Sequence, residues 1–309
     1  MSCDSRRIPR RVIARAGRIP RRVIARARSA RGDLALLALL VVPGRPVAAQ
    51  TMRDFEYARP YRGERTLKAS VEFAAGTLQL GPSAGEQLYH LKLHYDADRF
   101  QPVGSADPVG VVRLGVSGKG RGGIRVERKS ALAQTAAIEL SRAAALSLDV
   151  SVGAAEATLE LGGLRLAELV LKSGASHTTV GFREPNPAIC RSAAVTSGAG
   201  EVSILQAGNS GCPVWYFDGG VGSVTLDLAG AWPSDARIRL NMALGGVKLL
   251  APRELGLRVR MGGFLSRFDA SGFTRSGKIY TSAGYARATR KLEVEVSSAL
   301  GGVSVEWRQ

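Results

Sequence analysis

The sequence predicts an all-β protein: a β-solenoid of stacked, glycine-punctuated coils of the toast-rack type, with a β-sandwich of short strands as the alternative. Three observations support this prediction. Apolar and polar residues alternate over many short stretches, a small residue stands before each stretch, and the whole pattern recurs. Alternation has the period of a β-strand. A unit of roughly 20–25 residues is typical of coils that must stack to bury their apolar edges.

The recurring unit is anchored by one small residue in each copy. The anchors are Gly76, Ala155, Ser176, Gly200, Gly222, Gly245 and Gly301. From Ala155 to Gly245 the steps are 21, 24, 22 and 23 residues. A glycine at such a point permits a sharp bend with positive φ. Recurrence of the motif itself favours the solenoid over the sandwich, whose turns follow every 8–12 residues or so.

The last step, of 56 residues, is too long for one coil. It indicates a further coil that carries an insertion at about residues 264–290, a segment rich in glycine, serine and aromatic residues. We therefore expect a single β-solenoid domain over 64–309, preceded by a linker at 50–63. Within this domain the expected parts are 64–129, a toast-rack N-terminal part, and 130–309, the repeat part.

The N-terminal residues 1–49 have the order of an export signal. An arginine-rich stretch precedes nine apolar residues at 34–42, and small residues follow up to Ala49. An apolar core of this length fits a signal peptide, for which about 7–15 residues are usual, and is too short for a membrane span of about 20. The sequence predicts cleavage near Ala49, a periplasmic or extracellular protein, and no transmembrane span in the mature chain.

The net charge of +17 overstates how basic the domain is. Residues 1–49 hold 12 arginines and two acidic residues, so the remainder carries 31 basic and 24 acidic side chains. The basic residues of the remainder are spread along strands rather than clustered beside stacking aromatic rings. This distribution is not that of a nucleic-acid-binding protein, and no nucleic-acid partner is expected.

Two stretches carry a resemblance to known families. Residues 71–82 (VEFAAGTLQLGP) with 88–102 (LYHLKLHYDADRFQP) resemble the toast-rack N-terminal domain. Residues 241–282 and 299–307 (ALGGVSVEW) resemble the C-terminal β-domain of cell-wall-stress response proteins of the Lia type, and are similar to adhesin-like β-solenoids. The resemblance implies a secreted or envelope location, a non-enzymatic role and no catalytic residues. Lia-type proteins carry membrane spans before this domain, where this chain has a signal peptide.

Two cysteines remain after the signal, Cys190 and Cys212, and they stand one repeat length apart. Coils stack at about 4.7–4.9 Å, and disulfides need Cα atoms about 4.4–6.8 Å apart. One repeat could therefore place the two thiols on adjacent coils at bridging distance, in an oxidising compartment. The alternative is a pair of free buried thiols.

No set of residues suits catalysis, a cofactor or a metal. Ser210, in the run GNSGCP, would need a histidine base, and none of the histidines lies in a suitable loop. His90 and His94 share one strand face but stand about 13 Å apart, too far for one metal ion. Asp96 and Asp98 supply too few oxygen ligands for calcium, which takes about 6–8. The chain is therefore not expected to be an enzyme.

The favoured function is a secreted or periplasmic binding or structural module of the cell envelope, adhesin-like in character. Its expected partner is an anionic envelope polymer, a lipid surface or an envelope protein. The candidate contacts with an anionic surface are Arg237, Arg239, Lys248, Arg258 and Arg260. The alternative for these arginines is that they only solubilise strands and block edges.

Two other functions stay open. One is a signalling partner that senses envelope stress, as the resemblance suggests. The other is a carbohydrate-active β-helix enzyme, which is disfavoured because its carboxylates would have to cluster and here they are scattered.

Overall fold

The computed structural model describes residues 50–107, 110–119, 134–269 and 271–308. These residues contain sixteen β-strands and a single 3-10 turn, and within them there is no α-helix. The all-β prediction is therefore confirmed. The expected signal peptide at 1–49 and the sequence between 120 and 133 lie outside the described residues.

The strands are, in chain order, β1 (Met52–Pro60), β2 (Thr66–Pro82), β3 (Gln87–Asp96), β4 (Phe100–Ala106), β5 (Val111–Gly118), β6 (Thr135–Leu140), β7 (Ala145–Glu160), β8 (Arg165–Ser173), β9 (His177–Gly181), β10 (Ala193–Leu205), β11 (Val214–Asp227), β12 (Ala236–Pro252), β13 (Gly256–Asp269), β14 (Phe273–Ser276), β15 (Ile279–Ser282) and β16 (Lys291–Arg308). The 3-10 turn spans Ala207–Ser210.

A parallel ladder of successive repeats forms the body of the sheet. β2 pairs with β7, β7 with β8 and β9, and these with β10, after which β11 and β12 follow, every pair being parallel. The repeat anchors align across the ladder, since Gly200 pairs with Gly222, Gly222 with Gly245, and Gly245 with Gly301. Parallel, in-register stacking is the pairing expected of coils, and not of an antiparallel sandwich.

The core is built from rows of apolar side chains that share one register. Val195, Phe217, Leu240 and Val296 stand opposite one another on β10, β11, β12 and β16, and each is at least 98% buried. Alternate residues of each strand point to the same side, so the period-two pattern of the sequence becomes a continuous apolar stack.

The anchor glycines of β2, β10, β11, β12 and β16 all have positive φ. Gly245 has φ +144°, and a Cβ built there would lie 1.8 Å from the carbonyl oxygen of Gly222. Gly301 repeats this geometry against Gly245. Only a residue without a side chain accepts both the positive φ and the close approach of the neighbouring backbone.

The final coils do not stack in chain order. β16 lies between β12 and β13, pairing in parallel with both, so β13 is displaced to the outer side of the last strand. β13 also runs to Asp269, and the hairpin of β14 and β15 follows it and pairs with its outer edge. The insertion expected at about 264–290 therefore begins later, since its first residues belong to a ladder strand.

The sequence predicted a linker at residues 50–63, but the structure has a β-strand there. β1 occupies most of this segment and pairs antiparallel with β3. Its residues are mostly exposed, so it lacks the apolar alternation that marks the other strands. Besides this backbone pairing, ring packing holds β1 to the sheet, because the ring of Tyr57 lies 5.4 Å from the buried ring of Tyr89 on β3.

Candidate functional site

Two rows of alternating charge cross the outer face of β12, β16 and β13. In the first row Arg237 and Arg258 flank Glu293, at N–O distances of 3.4 and 3.6 Å. In the second row Arg239 lies 3.1 Å from Glu295, and Arg260 pairs in register with Glu295 from the other side. The rows exist because β16 is inserted between the two arginine-bearing strands.

We call this surface the basic face and define it as Arg237, Arg239, Arg258, Arg260 and Lys291 together with Glu293 and Glu295. Five basic side chains thus meet two carboxylates. The arginine and glutamate side chains in its ion pairs are 42–54% exposed. Ion pairs at such exposed positions contribute little, about 0–1 kcal/mol each, so the arginines remain free to exchange partners.

Two tyrosine rings lie beneath cations of the basic face. The guanidinium carbon of Arg258 is 4.3 Å from the ring centre of Tyr285, and the ammonium of Lys291 is 5.8 Å from the same ring. Arg239 lies 5.9 Å from the ring of Tyr216. A cation held over an aromatic ring gains about 0.5–1 kcal/mol at exposed sites. The rings therefore fix where these charges stand without neutralising them.

The structure brings together four of the five basic residues singled out from the sequence. Lys248 stands apart, because it lies on the second half of β12, beyond the bend at Gly245. Its ammonium is 2.7 Å from Glu306. The sequence analysis missed Glu293 and Glu295, whose alternation in the run LEVEV was visible but whose place between two arginine strands was not.

Cys190 and Cys212 form a disulfide in the structure, with Cα atoms 4.6 Å apart. Both residues are buried, Cys212 completely. The bond joins the segment before β10 to the segment before β11. The two cysteines therefore occupy equivalent positions in successive repeats, as their spacing of one repeat length predicts.

The remaining chemistry-bearing residues have structural partners. Ser210 is fully buried and its Oγ donates to the carbonyl of Ala207 at 2.6 Å, which leaves it unsuited to attack a substrate. The imidazole of His90 lies 2.6 Å from Glu56, and that of His94 lies 2.8 Å from Asp54. Within the described residues no group of three or more histidine, cysteine, aspartate or glutamate side chains could hold a metal ion.

A family of known proteins matches the N-terminal half of the described strands. The family described as the N-terminal domain of toast_rack, DUF2154, matches residues 48–205, which extends well beyond the segment 64–129 expected from the sequence. The comparison with curated proteins gave no match. Among the described residues, no helix has the length and apolar character needed to cross a membrane.

Two solved structures are similar to this chain. One is a candidate cell adhesion protein from Clostridium sporogenes ATCC 15579, with 16% identity and a TM-score of 0.42 over 84% of this chain and 100% of that one. The other is a candidate adhesin from Bacteroides fragilis NCTC 9343, with 11% identity and a TM-score of 0.37 over 84% of this chain and 99% of that one.

Proposed function

The chain belongs to the family defined by the N-terminal domain of toast_rack, and from this premise we propose that it is a non-enzymatic, exported module that binds anionic surfaces of the cell envelope. The observation that carries the proposal is the basic face, where five cations and two carboxylates lie on three adjacent strands. Phosphate or carboxylate groups repeated along a polymer or a membrane match such an array of charges.

Magnitudes suggest a weak and reversible contact. A basic side chain near an anionic surface contributes about 1 kcal/mol, so a surplus of three charges gives about 3 kcal/mol. That corresponds to a dissociation constant in the millimolar range or weaker. Useful retention would then depend on many contacts along a polymer or on a high density of charged lipids.

Export is the second part of the proposal. The apolar core and small-residue exit of residues 1–49 support it, as does the disulfide between Cys190 and Cys212. Disulfides persist in oxidising compartments such as the periplasm and the cell exterior. An anionic envelope polymer or lipid would be available to the protein there.

Co-sedimentation of the purified protein tests the binding. One arm uses isolated cell wall, a second uses phosphatidylglycerol vesicles, and neutral phosphatidylcholine vesicles serve as the control. We expect binding to at least one anionic arm at low salt and its loss at high salt, since exposed charges are screened within about 10 Å at 0.1 M ionic strength. A folded protein that pellets with neither anionic arm would refute the proposal.

A further inference from the structure

A row of exposed aliphatic side chains crosses three adjacent strands of the ladder. Val221, Leu244 and Leu300 are in register on β11, β12 and β16, and are 53%, 45% and 47% exposed. Six large apolar side chains are exposed in the described part of the chain, and half of them stand in this row. We call these three residues the aliphatic row. Side by side, they form a continuous apolar strip rather than scattered surface positions.

The backbone explains why the aliphatic row lies outside the core. In β12 the buried side chains alternate up to Met242, and the alternation resumes one position out of step at Val247. In β16 the same shift occurs between Ser298 and Val303. Leu244 and Leu300 lie in these gaps, each directly before its anchor glycine. Neither half of the strand therefore buries them.

Other repeats show that the ladder does not require large side chains at this place. The residue directly before the anchor is an alanine in the four earlier repeats, namely Ala75, Ala154, Ala175 and Ala199. Ala199 is itself exposed and pairs in register with Val221. The larger residues of the aliphatic row thus add apolar surface in contact with water, which is unfavourable unless a partner covers it.

Cations lie on both sides of the aliphatic row. On one side Arg239 stands five residues before Leu244 on β12, with its guanidinium carbon 5.9 Å from the ring centre of the exposed Tyr216. On the other side the half-exposed Lys248 follows Leu244 by four residues, and Arg267 is exposed on β13, two positions past the row. Long basic side chains and tyrosines are the residues that reach the headgroups when apolar neighbours enter lipid.

The charge around the aliphatic row suits an anionic partner. Two carboxylates also lie near it, and both have partners. Asp218 accepts a hydrogen bond from the Asn241 amide at 2.9 Å, and Glu306 lies 2.7 Å from Lys248. Added to the five cations and two carboxylates of the basic face, Lys248 and Arg267 make seven cations, and Asp218 and Glu306 make four carboxylates. The surplus of three positive charges favours an anionic surface.

The aliphatic row is too small to hold a folded protein partner. Ala243 and Ala299 lie before it, and Gly246 and Gly302 lie beyond the anchor glycines. A stable protein interface buries about 800 Å² on each partner. Three partly exposed aliphatic side chains among such small residues do not supply that area. A lipid interface needs no such area, because apolar burial and attraction to anionic headgroups add together.

We propose that the aliphatic row inserts into the surface of a bilayer that contains anionic lipids, while the cations on its two sides contact the headgroups. This inference rests on the proposed function and names a lipid bilayer as the anionic surface. It also separates two contributions to binding. The attraction of the cations is screened by salt, whereas the burial of Val221, Leu244 and Leu300 among acyl chains is not.

A fluorescent label at the aliphatic row tests the insertion. Leu244→Cys accepts a thiol-reactive, environment-sensitive fluorophore selectively, because both other cysteines of the described chain are joined in a disulfide. We expect its emission to shift to the blue on phosphatidylglycerol vesicles at low salt, and to be quenched by lipids with brominated acyl chains. Ala175→Cys carries the same label as the matched control. It is exposed directly before the anchor of an earlier repeat and should show neither effect.

Alanine substitution tests the contribution of the row to affinity without a label. The triple variant Val221→Ala, Leu244→Ala and Leu300→Ala should bind phosphatidylglycerol vesicles about tenfold or more weakly, since each methylene group withdrawn from lipid changes the binding constant about fourfold. Its binding to isolated cell wall should equal that of the wild type. Its unfolding temperature should stay near the wild-type value, because earlier repeats carry alanine at the same place.

The outcomes distinguish failure of this inference from failure of the proposed function. Wild-type binding to the vesicles without a blue shift at position 244, or with equal affinity of the triple variant, would overturn the inference alone. A wild type that binds isolated cell wall but not the vesicles would do the same, and binding to neither would overturn both. A dimer in sedimentation equilibrium that the triple variant abolishes would also overturn the inference, because a second copy would then cover the row.

Discussion

The guanidinium of Arg239 lies 3.1 Å from the carboxylate of Glu295, although 56 residues separate them in the chain. The contact exists because β16 inserts between β12 and β13 instead of stacking after them. Arg258 reaches Glu293 in the same way. Two carboxylates are thus built into a surface that would otherwise be uniformly basic, which holds its charge surplus at a moderate level.

Removing those carboxylates should strengthen binding to anionic surfaces. We expect the double change Glu293→Gln and Glu295→Gln to raise the affinity for phosphatidylglycerol vesicles by about tenfold or more, because two more uncompensated charges contribute about 1 kcal/mol each. Co-sedimentation at low salt measures this. Glu201→Gln, which removes a carboxylate paired with His177 away from the basic face, is the control and should change little.

The bend at Gly245 should tolerate no side chain. We expect Gly245→Ala to lower the free energy of unfolding by about 3 kcal/mol or more, because it combines an unfavourable positive φ with a clash against the Gly222 carbonyl. Denaturant unfolding measures the change. Gly246→Ala is the matched control, since a Cβ there meets its nearest neighbour, the Gly302 carbonyl oxygen, at 4.0 Å. Equal stability of both variants would contradict the account of the bend.

The disulfide should add stability by restricting the unfolded chain. Its two cysteines are 22 residues apart, which gives about 3 kcal/mol in the loop-entropy description. We expect Cys190→Ala with Cys212→Ala to lose about that much in denaturant unfolding. Peptide mapping after alkylation in denaturant, without reductant, should find neither cysteine labelled. Labelling of both would show that the thiols are free.

Tyr89 should make the protein sensitive to alkaline pH. Burial, together with a hydrogen bond to Tyr57, raises the pKa of Tyr89 to about 12 from its ordinary value of 10. Because the pKa of Tyr89 is higher in the folded than in the unfolded protein, protonated Tyr89 contributes fully to the free energy of unfolding below pH 10, and this contribution declines as pH rises towards 12.

Denaturant unfolding at several pH values between about 9 and 12 measures this decline. Tyr89→Phe should show a shallower loss of stability with pH than the wild type, since it removes the titrating group. Tyr216→Phe, which alters an exposed tyrosine, is the control and should follow the wild-type slope. Identical slopes for Tyr89→Phe and the wild type would show that Tyr89 does not resist ionisation.

Much of the ladder could be predicted from the sequence because its signal is local. A small residue followed by alternating apolar positions specifies a bend and a strand, and near-equal spacing specifies the register, as the pairing of Gly200, Gly222 and Gly245 shows. The order of the last strands could not be predicted. The repeats are alike, so either β13 or β16 could pair with β12. No local feature of the sequence marks that β16 is the strand that does so.

The basic face, too, could be predicted from the sequence only in part. The five basic residues were singled out as candidate contacts from the sequence, and the strand period alone puts Arg237 with Arg239 on one face, and Arg258 with Arg260. Glu293 and Glu295 entered the basic face through a long-range pairing that no local pattern contains.

The most direct test of the proposed function replaces the four arginines of the basic face. In co-sedimentation with phosphatidylglycerol vesicles and isolated cell wall, the variant with Arg237→Gln, Arg239→Gln, Arg258→Gln and Arg260→Gln should lose the salt-sensitive binding of the wild type. A variant with Arg113→Gln and Arg165→Gln, exposed on other strands, should keep it. Wild-type binding by the folded four-site variant would contradict the assignment of the basic face as the anion-binding surface.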